Sequence, residues 1–191
     1  MSRLTAGNAQ LIPDFFYVFE WPQDISDRRH NQFAKVAMRE AIAKYHEKQV
    51  PRKFKRDARQ RYGYKPRGKK YERYKQRKYG NGSIDMVKTG RTRRWMTSAY
   101  KLTVGGTASD RSLNATLKLT FPFKGGSGSL AASRFGKGRR ANGARVIAQL
   151  ISEMQRFAND EPALIVEWWR KSYMRQVDEF RATRKRVRTR K

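Results

Sequence analysis

Apolar residues recur every fourth position near the start of the chain: Phe33, Ala37, Ala41 and Tyr45 fall on one line, with Val36, Met38 and Ile42 beside it. That spacing follows the helical period and predicts an amphipathic helix over 27–49, with Ser26 or Asp27 as its N-cap and Pro51 ending it. A second helical line, Ile165, Trp169, Tyr173, Val177 and Phe180, predicts a final helix over 160–181. Asn159 or Asp160 caps it, and Glu161 and Pro162 stand in its first turn.

Between these helices the period changes. Tyr100, Leu102 and Val104 alternate with polar residues, as do Leu113, Ala115, Leu117, Leu119 and Phe121. Alternation of this kind predicts two strands, Thr97 to Gly106 and Leu113 to Phe123, joined as a hairpin through the Gly105 to Ser112 turn. The aromatic run Phe15 to Trp21, bounded by Pro13 and Pro22, predicts a short strand or extended arm. Val146 to Phe157 is apolar, and its periodicity does not choose between strand and helix.

The expected fold is therefore α+β: an antiparallel sheet built on a central hairpin, packed by two helices, with an extended basic loop and arms. At 191 residues the chain suits one domain. The organisation expected is an N-terminal arm (1–25), a single domain (26–181) with a basic insertion (52–80) and a flexible Gly- and Ser-rich loop (124–143), and a basic tail (182–191).

Charge changes the picture most. The net charge is +29, from 45 Lys and Arg against 16 Asp and Glu. So much like charge repels itself in a compact chain and calls for an anionic partner. It is concentrated in one segment, where Arg52, Lys53, Lys55, Arg56, Arg59, Arg61, Lys65, Arg67, Lys69, Lys70, Arg73, Lys75, Arg77 and Lys78 stand against Asp57 and Glu72. That density is expected to keep the segment on the surface, as a long loop with one or two helical turns. Tyr62, Tyr64, Tyr71, Tyr74 and Tyr79 are interleaved with the cations, a mixture that suits RNA or an acidic protein groove. No helix-turn-helix, RNP motif or zinc finger frames it, which argues against base-specific readout.

The chemistry of an enzyme is missing from the pattern. There is no cysteine, hence no disulfide, thiolate zinc site or cysteine nucleophile. His30 and His46 have no partner at motif spacing and read as polar residues on a helix face. The glycine-rich stretches do not fit a phosphate-binding loop. Glu153, Asp160, Glu161 and Glu167 read as helix-start and surface residues rather than as an acid and base pair or a magnesium site. No cofactor, metal or catalytic residue is expected. With no apolar run of about 18 residues and no signal-peptide core, the chain is expected to be soluble and to have no membrane partner.

The segment Met86 to Ser98, MVKTGRTRRWMTS, resembles the Thr-Gly-Arg signature of phage minor tail and head-tail connector proteins, the tail-completion or virion-morphogenesis group. The order of YHEKQVPRKF, YGYKPRGKKYERYKQRK, LKLTFPF and EMQRFANDEPALIVEWW is similar to that group. The resemblance implies a non-enzymatic structural protein of the virion, made in the host cytoplasm. It would form a homo-oligomeric ring in the neck and dock onto portal, adaptor or tail proteins, with non-specific contact to the DNA end. Thr89, Gly90 and Arg91 would form a structural turn leading into the first strand. The alternative function is an RNA-binding structural protein, such as a ribosomal or ribonucleoprotein component.

Overall fold

The computed structural model describes backbone and side chains for residues 22–82, 84, 87, 90, 93–94, 96–98, 152–153 and 155–187. It describes the backbone alone for 8–10, 15–17, 91–92, 95, 101–105, 108–109, 112–122 and 188. The Gly- and Ser-rich loop 124–143 and most of the N-terminal arm lie outside the described residues.

Two long helices carry the fold. Helix α1 spans Asp27–Lys48 and helix α5 spans Glu161–Arg188. They run antiparallel: Phe33 meets Phe180 at one end, with ring centroids 5.9 Å apart, and the Tyr45 hydroxyl donates to Glu161 near the other. The facing stripes are complementary in size. α1 offers Ala34, Ala37 and Ala41, and α5 offers Trp169 and Tyr173, all buried, so large rings fill the space that small side chains leave. Trp169 stacks on Tyr173 at 5.3 Å, and its indole Nε1 donates to the Ala34 carbonyl.

The segment between them is folded onto this pair. After α1 comes a 3-10 turn, Val50–Phe54, in which Pro51 occupies the first turn, where its missing N–H costs nothing. Then follow α2, Ala58–Tyr62, α3, Lys69–Tyr79, and α4, Arg91–Ser98. Gly63 and Gly80 end α2 and α3 at φ of 61° and 66°, the left-handed conformation that glycine adopts without penalty. Among the described residues the core joins Val50, Phe54, Ala58, Tyr62, Tyr64 and Met96 to the α1 and α5 stripes.

The expected α+β fold is overturned. The fully described part of the chain is 75% helical and has no strand or sheet in it. Backbone pairing on Ser112–Pro122 involves only residues whose side chains lie outside the description, and the core is made of helical and turn residues. A hairpin platform packed by two helices is therefore not the architecture: the helices pack on each other. Residues 97 and 98 complete α4 rather than opening a strand, so Arg91 begins a helix.

Three further expectations are corrected. Residues 52–80 form a 3-10 turn and two helices rather than a long loop, because Phe54, Ala58, Tyr62 and Tyr64 are apolar anchors spaced through the cations and are buried. The final helix passes 181 and takes in most of the basic tail, through Arg188. Ser26 holds the N-cap position, but its side chain makes no capping bond; its carbonyl accepts from the Arg29 and His30 amides instead.

Candidate docking face

The fourteen cations of 52–80 divide by environment. Arg52, Lys55, Arg56, Lys65, Lys69, Lys70, Arg73, Arg77 and Lys78 are exposed. Arg59, Arg61 and Arg67 are half-buried and paired with Glu72, Asp160 and Glu153 at 2.5, 2.7 and 2.5 Å. Lys53 and Lys75 are buried, at 2% and 1% exposure, which contradicts the expectation that the whole segment lies outside the core.

Both buried lysines act as bolts. Lys53 Nζ donates to the Arg156 carbonyl at 2.8 Å and lies over the rings of Tyr45, Tyr62 and Phe157. Burial pushes its ammonium down to about 8, opposed by the nearby Glu161 carboxylate. Lys75 Nζ donates to the Ile84 carbonyl, tying α3 to the segment that follows it.

The carboxylates are internal too. Glu161, at 0% exposure, accepts from the Tyr62 hydroxyl at 2.6 Å, the Tyr45 hydroxyl at 3.2 Å and the Ala158 amide at 3.3 Å. Burial first, and this carboxylate second, push the Tyr45 hydroxyl up, and burial leads for Tyr62 as well. Glu153 is buried beneath Arg67. Neither is the surface residue that was expected, since each closes a contact between α5's approach and the basic segment. Asp160 and Glu167 do remain at the surface; the Arg61 guanidinium and the Lys171 ammonium, respectively, hold their carboxyls below the usual range.

His30 and His46 are also buried rather than polar-face residues. His30 Nε2 donates to the Pro22 carbonyl at 2.9 Å and Nδ1 meets the Tyr173 hydroxyl. His46 Nε2 donates to the Met96 carbonyl at 2.7 Å, which fastens α4 to α1, and burial pushes its imidazole below its ordinary value. Helical spacing does place both on the buried side of α1, His30 four residues before Ala34 and His46 four after Ile42.

The result is a fixed basic face. Among the described residues, ion pairs engage Asp24, Glu40, Glu72, Glu153, Asp160 and Glu167 with neighbouring cations, and the nine exposed lysines and arginines of 52–80 share that segment with one exposed carboxylate, Asp57. α3 presents this charge most densely. Its Glu72 is turned toward Arg59 and its Gln76 accepts from the Gly82 amide at 2.9 Å. Tyr71 and Tyr74 lie at 41% and 39% exposure. The loop must approach closely there: a Cβ on Gly82 would meet the Glu72 carbonyl at 2.7 Å.

Gly90 has φ 75°, so the turn before α4 does require a conformation most residues avoid. Thr89 lies outside the described residues. A groove of about 240 Å³ between α1 and α5 is lined by Glu40, Lys44, Trp168 and Arg175 among others, and its charges are tied to one another, Arg175 to Glu40 and Lys44 over Trp168. Among the described residues no group of three or more His, Asp or Glu is placed to hold a metal ion, and no helix is long and apolar enough to cross a membrane. No family model, curated protein or solved structure matches the chain.

Proposed function

We propose that this protein is a non-enzymatic structural subunit that docks through the basic face of 52–80 onto an anionic partner in a large assembly. In the form suggested by the Met86 to Ser98 resemblance, it is a ring-forming subunit of a phage neck that meets a portal, adaptor or tail protein, or the DNA end. One observation carries the docking reading: the basic segment is folded and bolted to the core through Lys53, Lys75, Glu153 and Glu161. A merely solvated charge run has no use for such anchoring, whereas a rigid face keeps its cations in register and lowers the ordering cost of binding.

The ring reading is tested by measuring the mass of the purified, nucleic-acid-free protein by native mass spectrometry across a concentration series. Discrete oligomers of one order support it. A monomer at every concentration that copurifies with RNA overturns it in favour of a ribonucleoprotein component.

A further inference from the structure

We infer that helix α3 is a stacking platform for single-stranded nucleic acid, with tyrosine rings that receive unpaired bases and flanking cations that receive the phosphates. The inference rests on the docking reading above and names the partner that α3 meets.

The argument begins with how α3 sits. Glu72, Lys75 and Gln76 fall on one side of the helix at 100° per residue, and each is engaged by the chain: Glu72 by Arg59, Lys75 by the Ile84 carbonyl, and Gln76, itself exposed, by the Gly82 amide. That orientation directs Lys70, Tyr74, Arg77 and Lys78 outward, with Tyr71 at the border. All five are exposed. The rings are held as a cluster: Tyr71 to Tyr74 at 6.5 Å and tilted, Tyr74 to Tyr79 at 6.2 Å and edge-on. Lys78 Nζ lies over the Tyr74 ring, 5.7 Å from its centre, so a base stacks on that ring by displacing the ammonium, which then meets the phosphate.

The composition of this face separates nucleic acid from an acidic protein. α3 reads KKYERYKQRKY and contains no aliphatic residue. Protein interfaces are depleted of lysine at their centre, whereas α3 exposes Lys69, Lys70 and Lys78. Tyrosine interleaved with lysine and arginine is what tracks a single strand, because every base has a π-face and every nucleotide a phosphate. Duplex DNA satisfies the cations equally but hides its base faces in the stack, which leaves the rings unused.

The test is fluorescence anisotropy with a labelled oligo-dT strand, a duplex of the same length and labelled polyglutamate, at one salt concentration. Replacing Tyr71→Ala and Tyr74→Ala together keeps the charge. It should weaken oligo-dT binding by about tenfold or more while leaving duplex and polyglutamate binding unchanged; Tyr71→Phe with Tyr74→Phe should restore the affinity. Helical content by circular dichroism confirms that the variants are folded. Unchanged oligo-dT affinity in the alanine variant, or an equal loss for all three probes, overturns the inference. The triple reversal Arg73→Glu, Arg77→Glu, Lys78→Glu addresses the docking reading separately. If it abolishes polyanion binding and the tyrosine variant does nothing, docking stands and stacking fails. If it leaves every polyanion bound as tightly as before, docking itself is wrong.

Discussion

Replacing Glu161 tests the polar bolt beneath the basic face. The carboxylate is completely buried and accepts from two tyrosine hydroxyls and one amide, with the Lys53 ammonium close enough to feel its charge. Glu161→Ala strands Tyr45, Tyr62 and the Ala158 amide and removes a carboxylate whose charge favours the Lys53 ammonium. An unsatisfied buried donor costs about 1–3 kcal/mol, and three donors lose their acceptor here. The donors can relax toward water that enters the space, so these costs overlap and a loss of about 3–5 kcal/mol is expected. That is a large fraction of the roughly 5–15 kcal/mol of a whole domain. Glu161→Gln keeps an acceptor and the volume, and should cost about 1–2 kcal/mol. Urea unfolding followed by far-ultraviolet circular dichroism at neutral pH gives both values from the midpoint and slope. Adding Lys53→Met to Glu161→Ala should recover part of the loss, since it removes a buried ammonium that the carboxylate no longer favours, and the double-mutant cycle measures that coupling. A Glu161→Ala loss below about 1 kcal/mol, with no coupling to Lys53, would refute the account of the bolt.

The remaining predictions concern the helix pair, the glycine turn and pH. Trp169→Ala should cost about 3–5 kcal/mol in the same unfolding assay, as for buried aromatics, and Trp168→Ala distinctly less, because Trp168 is only partly buried against the core; equal losses would contradict the placement of the two rings. Gly90→Val should destabilise by about 1–2 kcal/mol and Gly90→Asn by less, because φ is 75° there and asparagine tolerates the left-handed region. For His46, burial favours the neutral imidazole, so the unfolded chain binds more protons on acidification. Stability should be level above an ordinary histidine value of about 6.5 and fall as pH drops below it; thermal melts from neutral to mildly acid pH should show this, and His46→Gln should flatten the His46 part of the slope. For Lys53 the folded value of about 8 lies below the unfolded one, so stability should rise with pH from about 8 until the tyrosines of the unfolded chain begin to ionise near 10. Lys53→Met should remove that rise.

Local periodicity determined the two long helices. The lines through Ala37, Ala41 and Tyr45 and through Ile165, Trp169, Tyr173 and Val177 were legible because a helix repeats its contacts every three to four residues, and all seven residues are buried. The total charge and its concentration in 52–80 are likewise properties of composition. What tertiary structure decided is which polar groups go inside and what packs on what. Lys53, Glu153 and Glu161 look like ordinary surface residues in sequence, and only helical spacing hints at His30 and His46. Their partners arrive from elsewhere in the chain: Glu161 meets Tyr45 from 116 positions away, and His30 meets Tyr173 across 143. No short window of sequence contains both members of such a pair; Lys75, whose acceptor Ile84 is nine positions away, is the exception. The mistaken sheet platform has the same origin, since alternation in residues 97–123 reports a local preference for extended backbone but not whether helices will choose that surface or each other. Here the alanine stripe of α1 gave α5 a closer fit, and the core formed between the helices.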